Sequence, residues 1–203
     1  MYYETATNAH GLSHDPVKAI VAPRPIGWIS TISRDGVLNL APYSFFNLVA
    51  ERPPFVMFSS SGRKDSLRNA EETGEFVCSL ATFDLRAPMN LTSAAVPSEI
   101  DEFKLARLEP AASRLVKPPR VAASPAALEC RYWKTIALPS RSLQPYFMVL
   151  GEVVGVYIED RFLKDGILDT VGMHPIARMG YMEYAAVERK FEMERPGAGW
   201  QPK

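Results

Sequence analysis

The feature that most constrains the fold is a long apolar segment, residues 146–158, which carries Gly151 and Gly155 four positions apart. A second segment, residues 128–136, precedes it and alternates in the manner of a half-buried strand. Glycines inside a strand mark bends, and a long strand that must bend belongs to a barrel more often than to a flat sheet. The sequence therefore predicts a mainly β fold with flanking helices, built on an antiparallel barrel.

The first part of the chain predicts a β-hairpin. Residues 26–33 are rich in β-branched side chains, and Asp35-Gly36 separates them from the apolar return segment 37–41. The next residues, 42–47, are aromatic and hydroxyl-bearing and stand beside a proline, so they predict a loop or a bulged strand.

A strand, a helix and another strand are predicted next. The strands are residues 55–58 and 76–80, and a helix with a cap and an apolar side lies between them. Two short helices are predicted further on, at 84–91 and 99–108, and neither carries evident chemistry.

Length and charge favour one domain without a polyanionic partner. The chain has 203 residues, 23 of them basic and 23 acidic, so its formal net charge is zero. No long-range field then draws it to nucleic acid or to an anionic membrane. No apolar run approaches the roughly 20 residues of a membrane helix, and the first residues lack a signal-peptide pattern. We therefore expect a cytoplasmic protein.

The familiar catalytic and metal-binding signatures are missing. Cys78 and Cys130 stand in apolar strands and predict buried hydrophobes, and three scattered histidines make no ligand set. Neither a dinucleotide-binding glycine motif, a phosphate-binding loop, a nucleophile elbow nor a zinc-protease motif occurs. We expect no metal site and no catalytic side chain, and such a chain suggests a bound cofactor that carries the reaction.

One local pattern predicts where an anion would bind. The strand at 55–58 runs into three serines at 59–61, then Lys64, then a helix that Asp65 or Ser66 can cap. Backbone N–H groups, hydroxyls and the positive helix end would surround one point, which suits a phosphate. Gly74 suits the left-handed position after the last helical turn. An ordinary surface helix with solvated basic residues is the alternative.

The order of several motifs resembles that of a known family. The motifs are residues 22–31 (APRPIGWIST), Asp35-Gly36, residues 39–46 (NLAPYSFF), Pro53-Pro54, Lys64-Asp65-Ser66, Gly74-Glu75-Phe76, Glu129-Cys130, Gly151-Glu152-Val153 and residues 175–181 (PIARMGY). Together they resemble the flavin reductase-like family, whose fold is the FMN-binding split barrel, a Greek-key antiparallel barrel. The branch is that of flavoredoxin and the nitrilotriacetate monooxygenase reductase component. The match spans residues 18–185 of a single domain, 1–203, and leaves a C-terminal tail, 186–203.

The resemblance implies an FMN site. Its phosphate end matches Ser59, Ser60, Arg63, Lys64 and Ser66. The segment whose backbone meets the isoalloxazine edge matches Ala41, Pro42, Tyr43, Ser44, Phe45 and Phe46, and the adjoining strand contributes Trp28, Ser30 and Thr31. Plain core packing is the alternative for the side chains of Trp28, Phe45 and Phe46.

Two late residues are expected on the substrate side. His174 and Arg178 belong to the segment that would border the open flavin face, where a cation meets a nicotinamide nucleotide phosphate or an acidic substrate. A surface loop is the alternative for both. The resemblance further implies a homodimer, hydride transfer from NAD(P)H to flavin, and a monooxygenase or electron-transfer protein as partner.

One departure from the family pattern keeps three functions open. Many flavin reductases of two-component monooxygenases carry Gly-Asp-His on the long late strand, where this chain has Gly151-Glu152-Val153. The candidate functions are an NAD(P)H:flavin oxidoreductase, a flavoredoxin-like FMN electron carrier and a non-catalytic flavin-binding module.

Overall fold

A computed structural model of the chain describes residues 1–141, 143–193, 195 and 197. The helices are α1 (Val17–Ile20), α2 (Asp65–Thr73), α3 (Arg86–Leu91) and α4 (Glu102–Leu105), with a 3₁₀ turn at Asp160–Phe162. The strands are β1 (Arg24–Pro25), β2 (Gly27–Ile32), β3 (Leu38–Tyr43), β4 (Phe46–Glu51), β5 (Pro54–Ser61), β6 (Glu75–Leu80), β7 (Pro110–Ala111), β8 (Arg120–Val121), β9 (Ala126–Ala137), β10 (Tyr146–Ile158), β11 (Leu163–Lys164), β12 (Ile167–Leu168), β13 (Ile176–Arg178) and β14 (Tyr184–Ala186).

The fold is mainly β, as predicted, and its centre is one seven-stranded antiparallel sheet in the order β3-β2-β6-β9-β10-β5-β4. The predicted hairpin is β2–β3, and Gly36 occupies its turn at φ 84°. Residues 42–47 form the end of β3, a two-residue bend and the start of β4. Both descriptions offered by the sequence, loop and interrupted strand, therefore apply to this segment.

The long strand β10 bends at its glycines. Its register with β9 shifts between Leu150 and Gly151 and again between Val153 and Gly155. A Cβ atom at Gly151 would lie 2.4 Å from the Phe76 ring, so the close approach of that ring requires glycine there. The predicted bends are confirmed, and they let β10 pair with both β9 and β5.

Two of the three hydrophobic clusters among the described residues hold the layers together. One lies between the sheet and α2 and includes Phe58, Leu67 and Phe76. The other lies beneath α3, α4 and β13 and includes Trp28 and Phe103. Both clusters are apolar surface removed from water, which is the main source of stability in a domain of this size.

The two cysteines are buried in the first cluster, as predicted. They occupy β6 and β9, and burial is the main reason that the pKa of the Cys78 thiol is raised. No group of three His, Cys, Asp or Glu side chains within the described ranges is placed to hold a metal ion.

A small second sheet, in the order β1-β13-β14, joins the start of the chain to its end. It reaches Ala186, the first residue of the predicted tail. Residues 194, 196 and 198–203 of that tail lie outside the described residues. In the part of the chain that is described, no helix is long and apolar enough to span a membrane.

Candidate functional site

A cleft of about 650 Å³ opens between the two sheets. Its walls come from five parts of the chain: β3 with the bend after it, the turn between β5 and α2, the segment from the end of α3 to α4, the start of β10, and the small sheet with α1. The lining residues are Lys18, Arg24, Asn39, Ala41, Pro42, Tyr43, Ser44, Phe45, Ser59, Ser61, Arg63, Lys64, Asp65, Ser66, Arg68, Thr92, Ser93, Ala94, Ala95, Val96, Ser98, Glu102, Tyr146, Arg178 and Tyr181.

The turn between β5 and α2 presents an uncapped helix start to the cleft. The sequence predicted Asp65 or Ser66 as the cap, and this is wrong: the N-cap residue is Lys64, and no side chain caps the helix. The reason is that the Asp65 carboxylate pairs with Arg68, while the Ser66 hydroxyl points inward. The first backbone N–H groups of α2 are therefore available to an anion. The predicted αL glycine at the other end is confirmed, because Gly74 has φ 79°.

Charge at this turn is concentrated on one side chain. Arg63 pairs with Glu71, and Arg68 pairs with Asp65. Lys64 takes part in no ion pair with any of the described residues. An anion at the helix start would therefore meet an uncompensated ammonium group.

Ser66 is held by a buried polar network. Asn39 Nδ2 donates to Ser66 Oγ over 2.9 Å, and both residues are buried. Tyr43 hydrogen-bonds with Ser66 and Ser60; burial raises the pKa of its phenol, and these hydrogen bonds oppose the shift. The network fixes the inner wall of the turn before any ligand arrives, which lowers the cost of binding.

The predicted residues of β2 support the cleft walls and do not line them. Trp28 is fully buried, and its Nε1 donates to Thr92 Oγ1 over 2.9 Å. Thr31 is also fully buried and accepts from Asn69 Nδ2 of α2 over 3.1 Å. Ser30 is buried with no hydrogen-bond partner for its hydroxyl among the described residues. Core packing, the alternative raised for Trp28, is thus what the structure shows.

The aromatic bend divides its two phenylalanines between the cleft and the core. Phe45 lines the cleft, and its carbonyl accepts from the Ser59 backbone N–H over 2.8 Å. Phe46 covers Gly27, where a Cβ atom would lie 2.4 Å from the ring. Ser60 is buried behind the turn and donates to the Gly62 carbonyl.

The structure separates the two residues predicted for substrate binding. Arg178 lines the cleft. His174 lies against Phe83 and lines another cavity of about 670 Å³, which also contains Asp84, Arg161 and Glu188. Of these two residues, therefore, only Arg178 is placed within one chain to meet a ligand in the cleft.

Several lining residues were not anticipated from the sequence. Residues 92–96 and Ser98 form one wall, and Glu102 of the predicted short helix faces the cleft. Glu102 is buried, and its Oε2 accepts from the Leu40 backbone N–H over 3.0 Å. This bond gives a partner to a backbone N–H of β3, an edge strand of the large sheet. Burial raises the pKa of this carboxyl group. In the sequence, the only signal for this wall is an acidic residue at the start of a predicted short helix, and that pattern is too common to indicate a binding site.

Comparison with known proteins places the chain in a family. The family model for the flavin reductase like domain matches residues 21–173. The chain belongs to this family. An uncharacterized protein of Aquifex aeolicus is 36% identical over 174 residues, which cover 83% of this chain and 86% of the relative.

Solved structures share the fold over the whole length. Nitrilotriacetate monooxygenase component B from Bacillus cereus is 30% identical, with a TM-score of 0.87, covering 95% of this chain and 98% of that one. Flavoredoxin of Desulfovibrio vulgaris (Miyazaki F) has a TM-score of 0.77 at 21% identity and covers 98% of this chain and 100% of that one. The first confirms the branch expected from the motifs, and the second shows the same flavin-associated split-barrel fold.

The residues of the cleft suit a flavin mononucleotide. An uncapped helix start with the Ser66 backbone N–H, the Ser59 and Ser61 hydroxyls and the unpaired Lys64 offer donors to a phosphate, and Ala41, Pro42 and Phe45 offer a flat apolar surface to a ring system. A cavity of about 650 Å³ lies within the range of typical ligand sites.

Proposed function

We propose that this protein is an NAD(P)H:flavin oxidoreductase that binds FMN non-covalently in the cleft. The observation that carries the proposal is the α2 start, where free backbone N–H groups, serine hydroxyls and an unpaired lysine converge. Membership of the flavin reductase-like family supports a flavin as the ligand. FMN supplies the redox chemistry when it is bound, by accepting a hydride from the dihydronicotinamide and passing the electrons on.

The chain's own residues act by binding and positioning. Lys64, the Ser59 hydroxyl and the backbone N–H of Ser66 would hold the phosphate, and the Asn39–Ser66 bond would keep the turn in its binding geometry. The backbone between β3 and β4, at Ser44 and Phe45, lies outside the strand ladders, and its N–H groups would stabilise negative charge on a bound flavin. Hydride transfer needs no acid or base, so the rate depends on how closely two rings are positioned.

Val153 bears on the choice between reductase and electron carrier. It stands where many family members have histidine, which favours the flavoredoxin-like alternative. Val153 is buried in the core cluster and does not line the cleft. Within one chain, the presence of valine instead of histidine at this position therefore leaves the wall of the cleft unchanged. The reductase remains our first proposal.

One anaerobic experiment decides between these functions. FMN-loaded protein is mixed with NADH or NADPH, and bleaching of the flavin absorption band is followed. We expect bleaching within seconds by at least one nucleotide, because the reaction then needs only positioning. Reduction by dithionite or a reduced ferredoxin, with neither nucleotide effective within minutes, would reject the reductase and favour the electron carrier. A flavin that binds but resists reduction by all of these donors would indicate the non-catalytic module.

We also propose that the protein is a homodimer and that a monooxygenase or electron-transfer protein takes its electrons. The similarity to a monooxygenase component B supports such a partner. For the dimer, the aromatic segment at residues 43–46 is one candidate interface, but Tyr43 is buried in its own chain. The neighbouring strand β4 is a better candidate, because it is the last strand of the large sheet and leaves Leu48 and Val49 about half exposed, 52% and 49%.

Light scattering at micromolar concentration tests the dimer. We expect Leu48→Glu to shift the mass to that of one chain, since a charge would be buried in the interface. Ile167→Glu is the matched control, because Ile167 is an exposed apolar residue on the separate β11–β12 hairpin. A monomer in the unmodified protein with FMN present would contradict the proposal.

A further inference from the structure

Two arginines stand opposite each other on the small sheet at the side of the cleft. Arg24 of β1 is the direct partner of Arg178 of β13 in the antiparallel register, and both line the cleft. Like charges directly opposite one another on neighbouring strands destabilise a sheet. Something must compensate this pair.

Arg24 is buried and holds the sheet through backbone carbonyls. It is 7% exposed, and its Nη1 donates to the carbonyls of Lys18 and Val21, while Nη2 donates to Met179 O over 2.8 Å. Its Nε has no hydrogen-bond partner among the described residues. Burial first, and then the nearby Arg178 charge, lower the pKa of Arg24. Neutral carbonyls therefore satisfy part of this group but leave its charge uncompensated.

Arg178 is partly exposed and is held by tyrosines. Its Nη1 donates to Tyr184 Oη and its Nη2 to Tyr181 O, both over 2.5 Å, and it lies 4.5 Å from the centre of the Tyr184 ring. Over the residues that the structure describes, neither arginine forms an ion pair with a carboxylate, and the same is true of Lys18 on the same wall. The wall therefore carries positive charge that no acidic side chain neutralises.

We propose that the Arg24–Arg178 pair is a second anion subsite, which holds phosphate or carboxylate oxygens of the molecule that reacts with the bound flavin. Arg178 contacts the anion, and Arg24 is a positioning residue that fixes the strand pair beneath it. The proposal rests on the proposed function. It is separate from the FMN phosphate turn, because its residues belong to the small sheet and not to β5 and α2. Tyr181, which lines the cleft here and lies 5.4 Å from His14, would suit a planar group attached to the anion.

The primary test compares donors with the same hydride chemistry and different charge. FMN-loaded protein and its Arg178→Gln variant are reduced anaerobically by NADPH, by NADH and by dihydronicotinamide riboside, which has no phosphate. We expect the ratio of kcat/KM for NADPH to that for the riboside to fall roughly tenfold or more in the variant, as for loss of a charge-assisted contact. Arg86→Gln is the matched control: Arg86 also stacks on an aromatic ring, Phe83 at 3.9 Å, but does not line the cleft.

Equilibrium binding distinguishes the two sources of the anion and does not require turnover. Binding of ADP-ribose, and of benzoate against benzamide, is followed through the spectrum of the oxidised flavin. Weaker ADP-ribose binding in Arg178→Gln identifies a nucleotide phosphate, and weaker benzoate binding identifies a carboxylate substrate. Unchanged binding of both probes, together with an unchanged NADPH-to-riboside ratio, would overturn the subsite. If no nucleotide reduces the flavin but Arg178→Gln still weakens one probe, the reductase fails and the subsite stands.

The role of Arg24 needs a readout that a purely structural residue would not change. Arg24→Lys keeps the charge and loses the planar fork that reaches three carbonyls. We expect KM for NADPH to rise severalfold with little change in kcat, and KM for the riboside to change much less. An equal change in KM for NADPH and for the riboside would show that Arg24 has no role in the subsite.

Discussion

The two charged walls of the cleft are built in opposite ways. The turn between β5 and α2 comes from one continuous stretch, and two of its cations, Arg63 and Arg68, are paired with carboxylates of the same helix. The wall of the small sheet joins distant parts of the chain, as the hydrogen bond between Arg24 and Met179, 155 positions apart, illustrates. Its arginines bond to carbonyls and tyrosines.

This difference teaches how each wall selects a ligand. At the first wall, local ion pairs leave one unpaired lysine and an uncapped helix start, which together would fix one phosphate position under the proposed function. At the second wall, two arginines without a carboxylate partner among the described residues are held by carbonyls and a tyrosine hydroxyl, and the proposed ligand is an anion from outside the protein. The first wall is expected to govern cofactor affinity and the second substrate affinity, so variants should affect one and spare the other.

The largest effect is expected at the small sheet, with Arg24→Met. The change leaves the carbonyls of Lys18, Val21 and Met179 without their donor, and we expect a loss of about 3 kcal/mol in the free energy of unfolding or in local opening. Hydrogen exchange should become faster at the amides of β1 and β13 and stay unchanged in α2. Arg120→Met is the control, because Arg120 also donates to backbone carbonyls but at a more exposed site. This variant should lose less free energy of unfolding. Faster exchange in α2 would show that the walls are not independent.

The next effect concerns the first wall, with Lys64→Ala. Loss of the unpaired ammonium should cost about 1.5–3 kcal/mol of FMN binding, or tenfold and more in the dissociation constant. Fluorescence titration of FMN measures it, and melting of the variant confirms that the fold is intact. Arg63→Ala should have a smaller effect, since Glu71 already neutralises Arg63. Equal FMN affinity in Lys64→Ala and the unmodified protein would place the phosphate elsewhere.

The same contrast explains what could be predicted from the sequence. The hairpin, the bent strand β10 and the αL position of Gly74 depend on short patterns, and all were predicted correctly. That the turn between β5 and α2 binds an anion stays a prediction, and the cap predicted for α2 was wrong, because Ser66 bonds Asn39 of β3 and Asp65 pairs with Arg68. Local capping preferences cannot anticipate a partner supplied by the tertiary fold.

The positions of residues that depend on contacts distant in sequence could not be predicted from the sequence. Trp28 and Thr31 of the motif at residues 22–31 were predicted to bind the cofactor, yet their side chains are buried behind the walls and hydrogen-bond Thr92 and Asn69. Arg24 lies in the same motif and faces the cleft, but only its register with Arg178 shows this. A single sequence carries no direct signal for such a pairing.

A third, smaller effect tests the link between Trp28 and the wall at 92–98. Trp28→Phe and Thr92→Val each remove the Nε1–Oγ1 hydrogen bond. Because both groups are buried, we expect a coupling of about 1 kcal/mol between the two substitutions in a double-mutant cycle of urea unfolding. Additive effects would mean that the bond contributes nothing, and that the wall is held by packing alone.

The smallest effect is expected from Glu102→Gln, at the contact between α4 and β3. Burial is the main cause that raises the pKa of Glu102 above its ordinary 4.5, with Asp65 and Asp101 adding to the shift, so the folded state favours the protonated carboxyl. Its contribution to stability is therefore complete below that value and is lost as the pH rises through the raised pKa. Glutamine keeps an oxygen for the Leu40 N–H and does not titrate. Urea unfolding across pH 4 to 8 should show this decline in the unmodified protein and not in the variant, with a difference within about 1 kcal/mol at pH 7. At pH values above the raised pKa, the variant should bind FMN slightly more tightly than the unmodified protein, because one negative charge has left the cleft. Identical pH profiles of stability and of FMN affinity for the two proteins would contradict both expectations.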